Sequence, residues 1–180
     1  MAIQHKPSHR QDQYELIRSF RPAGSTTIIW AQNMGTNQLI RLLRWGDQIY
    51  LPVHEGMQLG IGIFNGGSMT RAYPAYIEAR NLWDGGPAQP GDCDTDHMWE
   101  IHPGQSHVID KLMNPNVQKG RPLTIVKSGS GFGIGDSTFG TTQYRGQIRL
   151  YERLLLGGGR QSPRPVNAGS EPRSLGASDV

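Results

Sequence analysis

Residues 57–64 alternate strictly. Met57, Leu59, Ile61 and Ile63 fall on one side of the run, and Gln58, Gly60, Gly62 and Phe64 fall on the other. A period of two belongs to a strand, whose successive side chains point to opposite faces. A helix scatters the same four aliphatic residues around its axis. The chain must therefore supply partners for this strand and a second apolar layer to cover its aliphatic face.

The rest of the sequence offers such partners. Residues 26–30 are β-branched and aromatic, as strands favour. Residues 74–83 set Ala75, Ile77 and Ala79 against Tyr76, Glu78 and Arg80. Residues 97–102 set Trp99 and Ile101 against Met98, Glu100 and His102. In residues 144–155, Ile148, Leu150 and Leu154 oppose Arg145, Gln147, Arg149, Tyr151 and Arg153. Segments 14–20, 47–53, 107–113 and 122–127 complete the set. Glycine (24 residues) and proline (12) punctuate these runs at turn spacing, which predicts about 9–11 short strands in an all-β, β-sandwich or jelly-roll-like fold. Strands do not alternate with helices, which argues against a doubly wound or barrel α/β fold. In residues 32–46, Leu39, Ile40, Leu42, Leu43 and Trp45 form the apolar face of one short helix near 37–45, capped by Thr36 or Asn37 and ended by Gly46. A buried strand accounts for the same run, with the helix slightly preferred.

Domain organisation follows from composition. Residues 1–13 are polar and aperiodic, as in a flexible arm, and residues 14–156 hold the sandwich. Residues 157–180 have too few apolar side chains to offset the entropy of ordering, which predicts a disordered tail. A single cysteine excludes an intrachain disulfide framework and Cys-Cys zinc motifs. No run approaches the ~20 apolar residues of a spanning helix, and residues 1–20 lack the ~10-residue apolar core of a signal peptide. The expectation is a soluble protein without membrane insertion, cytoplasmic or part of an assembly.

Residues 91–110 are the densest in chemistry, with three of the six histidines, five of the fifteen acidic residues and the one cysteine. Asp92, Asp94 and Asp96 are spaced as alternate ligands of a calcium loop. His97 and Pro103 stand where an EF-hand requires Gly and Glu, so any calcium site is of another kind. Glu100 and His102, two apart on a strand, share a face and suit a transition metal such as zinc. His107 joins them if residues 103–106 form a hairpin. The expected cofactor is thus a divalent ion, calcium or zinc. His97 and Trp99 in this segment, with Trp83 shortly before it, are the candidate ligand-binding residues. Cys93 sits between two aspartates, which raise a thiol pKa, so a cysteine nucleophile is disfavoured. Residues 129–135 lack the third glycine of Gly-x-Gly-x-x-Gly and a following Lys-Ser/Thr, so they fail as a phosphate loop.

Fourteen of the eighteen basic residues are arginine, and the net charge is +3. Arg145, Arg149 and Arg153, with Tyr151 among them, line one side of the last strand and make a candidate nucleic-acid or protein interface. No complete nucleophile–base set can be read. The sequence points to a non-enzymatic binding or assembly module with a metal-dependent ligand site in residues 91–107. Its partner is an unidentified ligand, a carbohydrate or a second copy of the chain. A metal-dependent hydrolase using Glu100, His102, His107 and a loop aspartate is the first alternative. A nucleic-acid-binding domain using the arginine face is the second.

Overall fold

The computed structural model describes residues 14–78, 80–87, 97–114, 119–127 and 146–156, with short strand pairs at 159–160, 164–165 and 173–174. Among the described residues the secondary structure is all strand and turn. In chain order the strands are β1 (Glu15–Ile17), β2 (Thr27–Asn33), β3 (Gln38–Ile40), β4 (Leu42–Trp45), β5 (Gln48–Leu51), β6 (Gln58–Asn65) and β7 (Arg71–Tyr73). They continue as β8 (Ala75–Ile77), β9 (Arg80–Asn81), β10 (Trp99–Ile101), β11 (Ser106–Ile109), β12 (Lys111–Asn114), β13 (Lys119–Thr124) and β14 (Ile148–Leu156). No helix of the described residues is long and apolar enough to cross a membrane.

The strands form three sheets. The first is built on β6, the strictly alternating strand. β2 runs antiparallel along one of its edges, from Thr27 opposite Asn65 to Asn33 opposite Leu59. β11 and β13 share the other edge, β12 extends the sheet beyond β13, and β3 closes the side beyond β2. The second sheet has β7 and β8 as two halves of one line broken at Pro74. β14 spans both halves, and the Tyr151 amide donates to the Pro74 carbonyl at 3.0 Å across the break. β10 lies along β7, and β9 along β8. The third sheet orders β1, β4 and β5, with Arg173–Ser174 parallel to β5.

Alternation decides what each layer buries. Ile29 and Ala31 of β2, Leu59, Ile61 and Ile63 of β6, Tyr73 and Ala75 of the second sheet, and Ile148 and Leu150 of β14 pack into one core, joined by Leu42, Ile49 and Leu51 from the third sheet. Each fully buried aliphatic side chain contributes about 1.5–3 kcal/mol. A cavity of about 40 Å³, lined by Phe20, Ile29, Leu42, Ile49, Ile61 and Leu150 among others, lies where the sheets meet. It is apolar and too small for an organic ligand. On the outer side of β6 the glycines have a definite use. The Trp30 indole lies so close over Gly62 that a Cβ there would fall 1.9 Å from Trp30 Cε2.

Two expectations are corrected here. The run near 37–45 is not a helix. Asn37 takes a left-handed φ of 60° and Gly46 one of 59°, so two turns bracket β3 and β4. Its apolar residues divide between faces, with Leu42 buried in the core and Leu43 on the outer side. The basic side of β14, the candidate nucleic-acid or protein interface, is not open to solvent at its described arginines. Arg149 and Arg153 are 3% and 1% exposed. Arg149 Nη2 donates to the Glu78 carbonyl at 3.2 Å, and its guanidinium lies 5.0 Å over the Tyr76 ring. That contact bridges the turn at Glu78, whose φ is 51°. Tyr151 packs edge-on against Tyr76, and Arg145 lies outside the described residues.

The apolar face of β14 contains one charge. Glu152 is 2% exposed and points inward among Ile148, Leu150 and Leu154. Its Oε2 accepts from Ser25 Oγ at 2.7 Å and Thr27 Oγ1 at 2.5 Å, and pairs with Arg71 Nη1 at 3.4 Å. Thr27 Oγ1 accepts in turn from Arg71 Nη1 at 3.1 Å. A hydroxyl has one proton, and that of Thr27 goes to Glu152. The Tyr73 phenol must therefore donate to Thr27 across their 2.8 Å contact. Burial pushes the Tyr73 phenol above its ordinary 10.0, against the lowering effect of its hydrogen bond to Thr27. The folded state thus holds this proton more tightly than the unfolded chain, so its stabilising effect is complete below pH 10.0 and lost as pH rises through the folded value. Urea melts from neutral pH to above about 10 should show an alkaline loss of stability, and Tyr73→Phe should reduce its steepness. Equal slopes in both proteins would contradict this.

Candidate ligand-binding site

The chain crosses between the two main sheets twice at one end of the sandwich, from β6 to β7 and from β10 to β11. Asn65, fully buried, ties the crossings together. Its Nδ2 donates to the Ile101 carbonyl at 2.8 Å and the Met69 carbonyl at 2.9 Å, and its Oδ1 accepts from the Gly67 amide at 3.0 Å. Its backbone pairs with Gly104 and Gln105. These bonds fix where β10 and β11 stand relative to each other.

That placement separates the histidines. β10 pairs with β7, and β11 pairs with β6, so residues 102–105 form an inter-sheet crossing and not a hairpin. On β10, Glu100 stands opposite Ala72 and is exposed, on the face away from Trp99 and Ile101. His102 Nδ1 meets Thr70 Oγ1 at 2.8 Å. His107 stands opposite Ile63, on the inward side of the first sheet. Glu100 and His107 thus face different ways, and the hairpin on which His107 joining Glu100 and His102 depended is not formed. Among the described residues no three His, Cys, Asp or Glu side chains gather where they could hold a metal. Asp92, Asp94, Asp96 and Cys93 lie outside the described residues. The described donors alone do not fit calcium or zinc, and no metal chemistry is assigned to them.

The structure does bring together the three expected ligand-binding residues, and it adds two more. Trp99 lies at the open edge between the sheets. Its indole stacks with the His107 ring at 6.2 Å and an interplanar angle of 28°. Trp83 meets it edge-on, with centroids 5.0 Å apart at 81°, and is itself 43% exposed. Offset and edge-to-face pairs of this kind suit the aromatic quadrupole. His97 Nδ1 pairs with Asp84 Oδ2 beside Trp83.

The loop carrying Trp83 is closely held. Leu82 is fully buried, and backbone bonds join it to Ala75 and Met113. Asn81 Oδ1 accepts from the Trp83 amide at 2.7 Å, and its Nδ2 donates to the His97 carbonyl at 3.1 Å. Asp84 Oδ1 accepts from the Gly86 amide at 2.7 Å, and Arg80 Nη1 donates to the Gly85 carbonyl at 2.7 Å. Gly85 takes a φ of 70°, which a side chain would resist. Trp83 is therefore presented by a fixed loop, an arrangement that costs little conformational entropy in any contact made there.

No protein-family model, curated protein or solved structure matches the chain. The assignment of the site rests on its geometry. The proximity of Trp83, His97 and Trp99 was legible from their nearness in sequence. Asp84 and the stacking role of His107 were not, because they depend on which sheet each strand joins. The inward Glu152 did leave a signal, as the one charge within the apolar series Ile148, Leu150 and Leu154.

Proposed function

We propose that the chain is a non-enzymatic binding module whose ligand stacks on Trp83 and Trp99 at the sandwich edge. The observation that carries this reading is the exposure of Trp83 on a loop pinned by Asn81 and Leu82, with Trp99 and His107 continuing the aromatic surface. A large, partly exposed, preorganised aromatic beside polar side chains is the pattern of a small-ligand surface. A carbohydrate ring is the ligand class that fits best. Its C–H face packs on an indole, and its hydroxyls form hydrogen bonds with a carboxylate–imidazole pair such as Asp84 and His97. The sandwich architecture is shared by many unrelated functions and adds no weight.

Titration with a panel of oligosaccharides, followed by tryptophan fluorescence, tests the reading. At least one member should bind saturably, and Trp83→Ala should weaken it by about tenfold, or 1.4 kcal/mol, with an unchanged circular dichroism spectrum. Absence of binding across the panel, or equal affinity in the variant, would overturn it. No observation favours the hydrolase alternative, because Glu100 and His107 face apart.

A further inference from the structure

The third sheet has one face on the core and one away from it. Leu42, Ile49 and Leu51 take the inner face. The register puts Leu16, Leu43 and Tyr50 together on the outer face, in a row across β1, β4 and β5. Tyr14 and Trp45 lie beside that row, with ring centroids 5.6 Å apart, and Tyr14 is 6.3 Å from Tyr50. The face is open at Leu16, which is 60% exposed, and Tyr14, Leu43, Trp45 and Tyr50 are half-buried. Three aromatic rings and two leucines on the solvent side of a small sheet exceed what the fold needs for its own core.

The charges around this face have one sign at one end. Arg18 follows β1 two positions after Leu16, and Arg41 precedes β4 two positions before Leu43. Both are exposed. The register brings them to the same end, one step beyond the Ile17–Leu42 pair. Among the described residues the ion pair formed in this sheet is that of Arg44 with Glu15, at 3.7 Å. No ion pair among the described residues is formed by Arg18 or Arg41. A two-fold contact between copies centred on this end would bring like charges together, which disfavours self-association there.

We infer that this face binds single-stranded nucleic acid, with bases stacking on Tyr14, Trp45 and Tyr50 and phosphates meeting Arg18 and Arg41. Stacking platforms bordered by arginine are the general means of holding single strands without reading sequence. This surface lies on a different sheet from the Trp83 edge and does not depend on the reading given for it.

The test is a fluorescence-anisotropy titration of the full chain with a labelled oligothymidylate of about 12 nucleotides, repeated between about 50 and 200 mM salt. Affinity should fall with salt. Arg18→Ala with Arg41→Ala, both at exposed positions, should reduce the slope of log affinity against log salt by about 1.4, at about 0.7 for each phosphate that is no longer neutralised. Trp45→Ala should weaken binding by about tenfold at constant salt. Inorganic polyphosphate, which has no rings, should compete poorly at equal phosphate concentration. The inference is overturned by no binding, by a slope unchanged in the arginine variant, or by polyphosphate competing equally. It is also overturned by a sedimenting dimer that Leu16→Asp dissociates, which would assign the face to a second copy.

Discussion

Replacing Glu152 by Ala should destabilise the fold by about 3–5 kcal/mol, the cost of leaving a buried cation without its counter-charge. Arg71 Nη1 lies 3.4 Å from Glu152 Oε2, and its guanidinium packs so tightly on Gly67 that a Cβ there would come within 2.6 Å of Nη2. It has little room to swing out to water once the carboxylate is gone. Ser25 and Thr27 lose their acceptor as well. For a domain of this size the loss corresponds to a melting temperature lower by roughly 2–4 °C per kcal/mol. The double variant Arg71→Met with Glu152→Leu should recover much of it, since replacing a whole buried pair by apolar groups is often neutral or stabilising. Chemical denaturation of these variants beside the unmodified chain measures both effects. A single-variant cost below about 1 kcal/mol would show that the pair is solvated and not buried.

Asn65→Ala should cost about 2–4 kcal/mol, because a buried carbonyl or amide that loses its partner forfeits about 1–3 kcal/mol. The Asn65 side chain satisfies two carbonyls, of Met69 and Ile101, and one amide, of Gly67. Solvent can reach part of this end of the sandwich, which keeps the total below the sum of three separate losses. The substitution should also reach the proposed ligand surface. Ile101 ends β10, two residues after Trp99, and the crossing it begins carries the chain to His107. Loosening Asn65 should raise amide exchange in residues 99–107 before it does so in β2 or β6. Hydrogen exchange with peptide-level readout tests this. Uniform protection across these segments would mean that Asn65 does not fix the crossing.

What the sequence disclosed depended on whether a feature was local. The alternation of residues 57–64 specified β6 and its buried face, and similar runs placed β2, β10 and β14. Residues 37–45 misled because a strand with apolar residues on both faces has no distinct period. Leu42 covers the core while Leu43 lies on the outer aromatic face, and that division depends on a third sheet that local pattern does not reveal. The arginines of β14 misled differently. Alternation placed Arg149 and Arg153 correctly on the face opposite Leu150, but it gives no burial, and Arg149 is held by Tyr76 and the Glu78 turn. The candidate site followed the same rule. Trp83, His97 and Trp99 are near in sequence and were legible. The separation of Glu100 from His107 depends on β10 and β11 joining different sheets.

The chain has four tryptophans, and they report on separate surfaces. Trp83 and Trp99 form the proposed ligand edge, Trp45 belongs to the third sheet, and Trp30 covers Gly62 on the outer side of the first sheet. Their indole N–H signals in a proton–nitrogen correlation spectrum, assigned by single Trp→Phe substitutions, can be followed while a binding oligosaccharide is added. Ligand binding at the sandwich edge predicts saturable shifts of the Trp83 and Trp99 signals, with those of Trp30 and Trp45 unmoved. Shifts confined to Trp30 or Trp45 would contradict it.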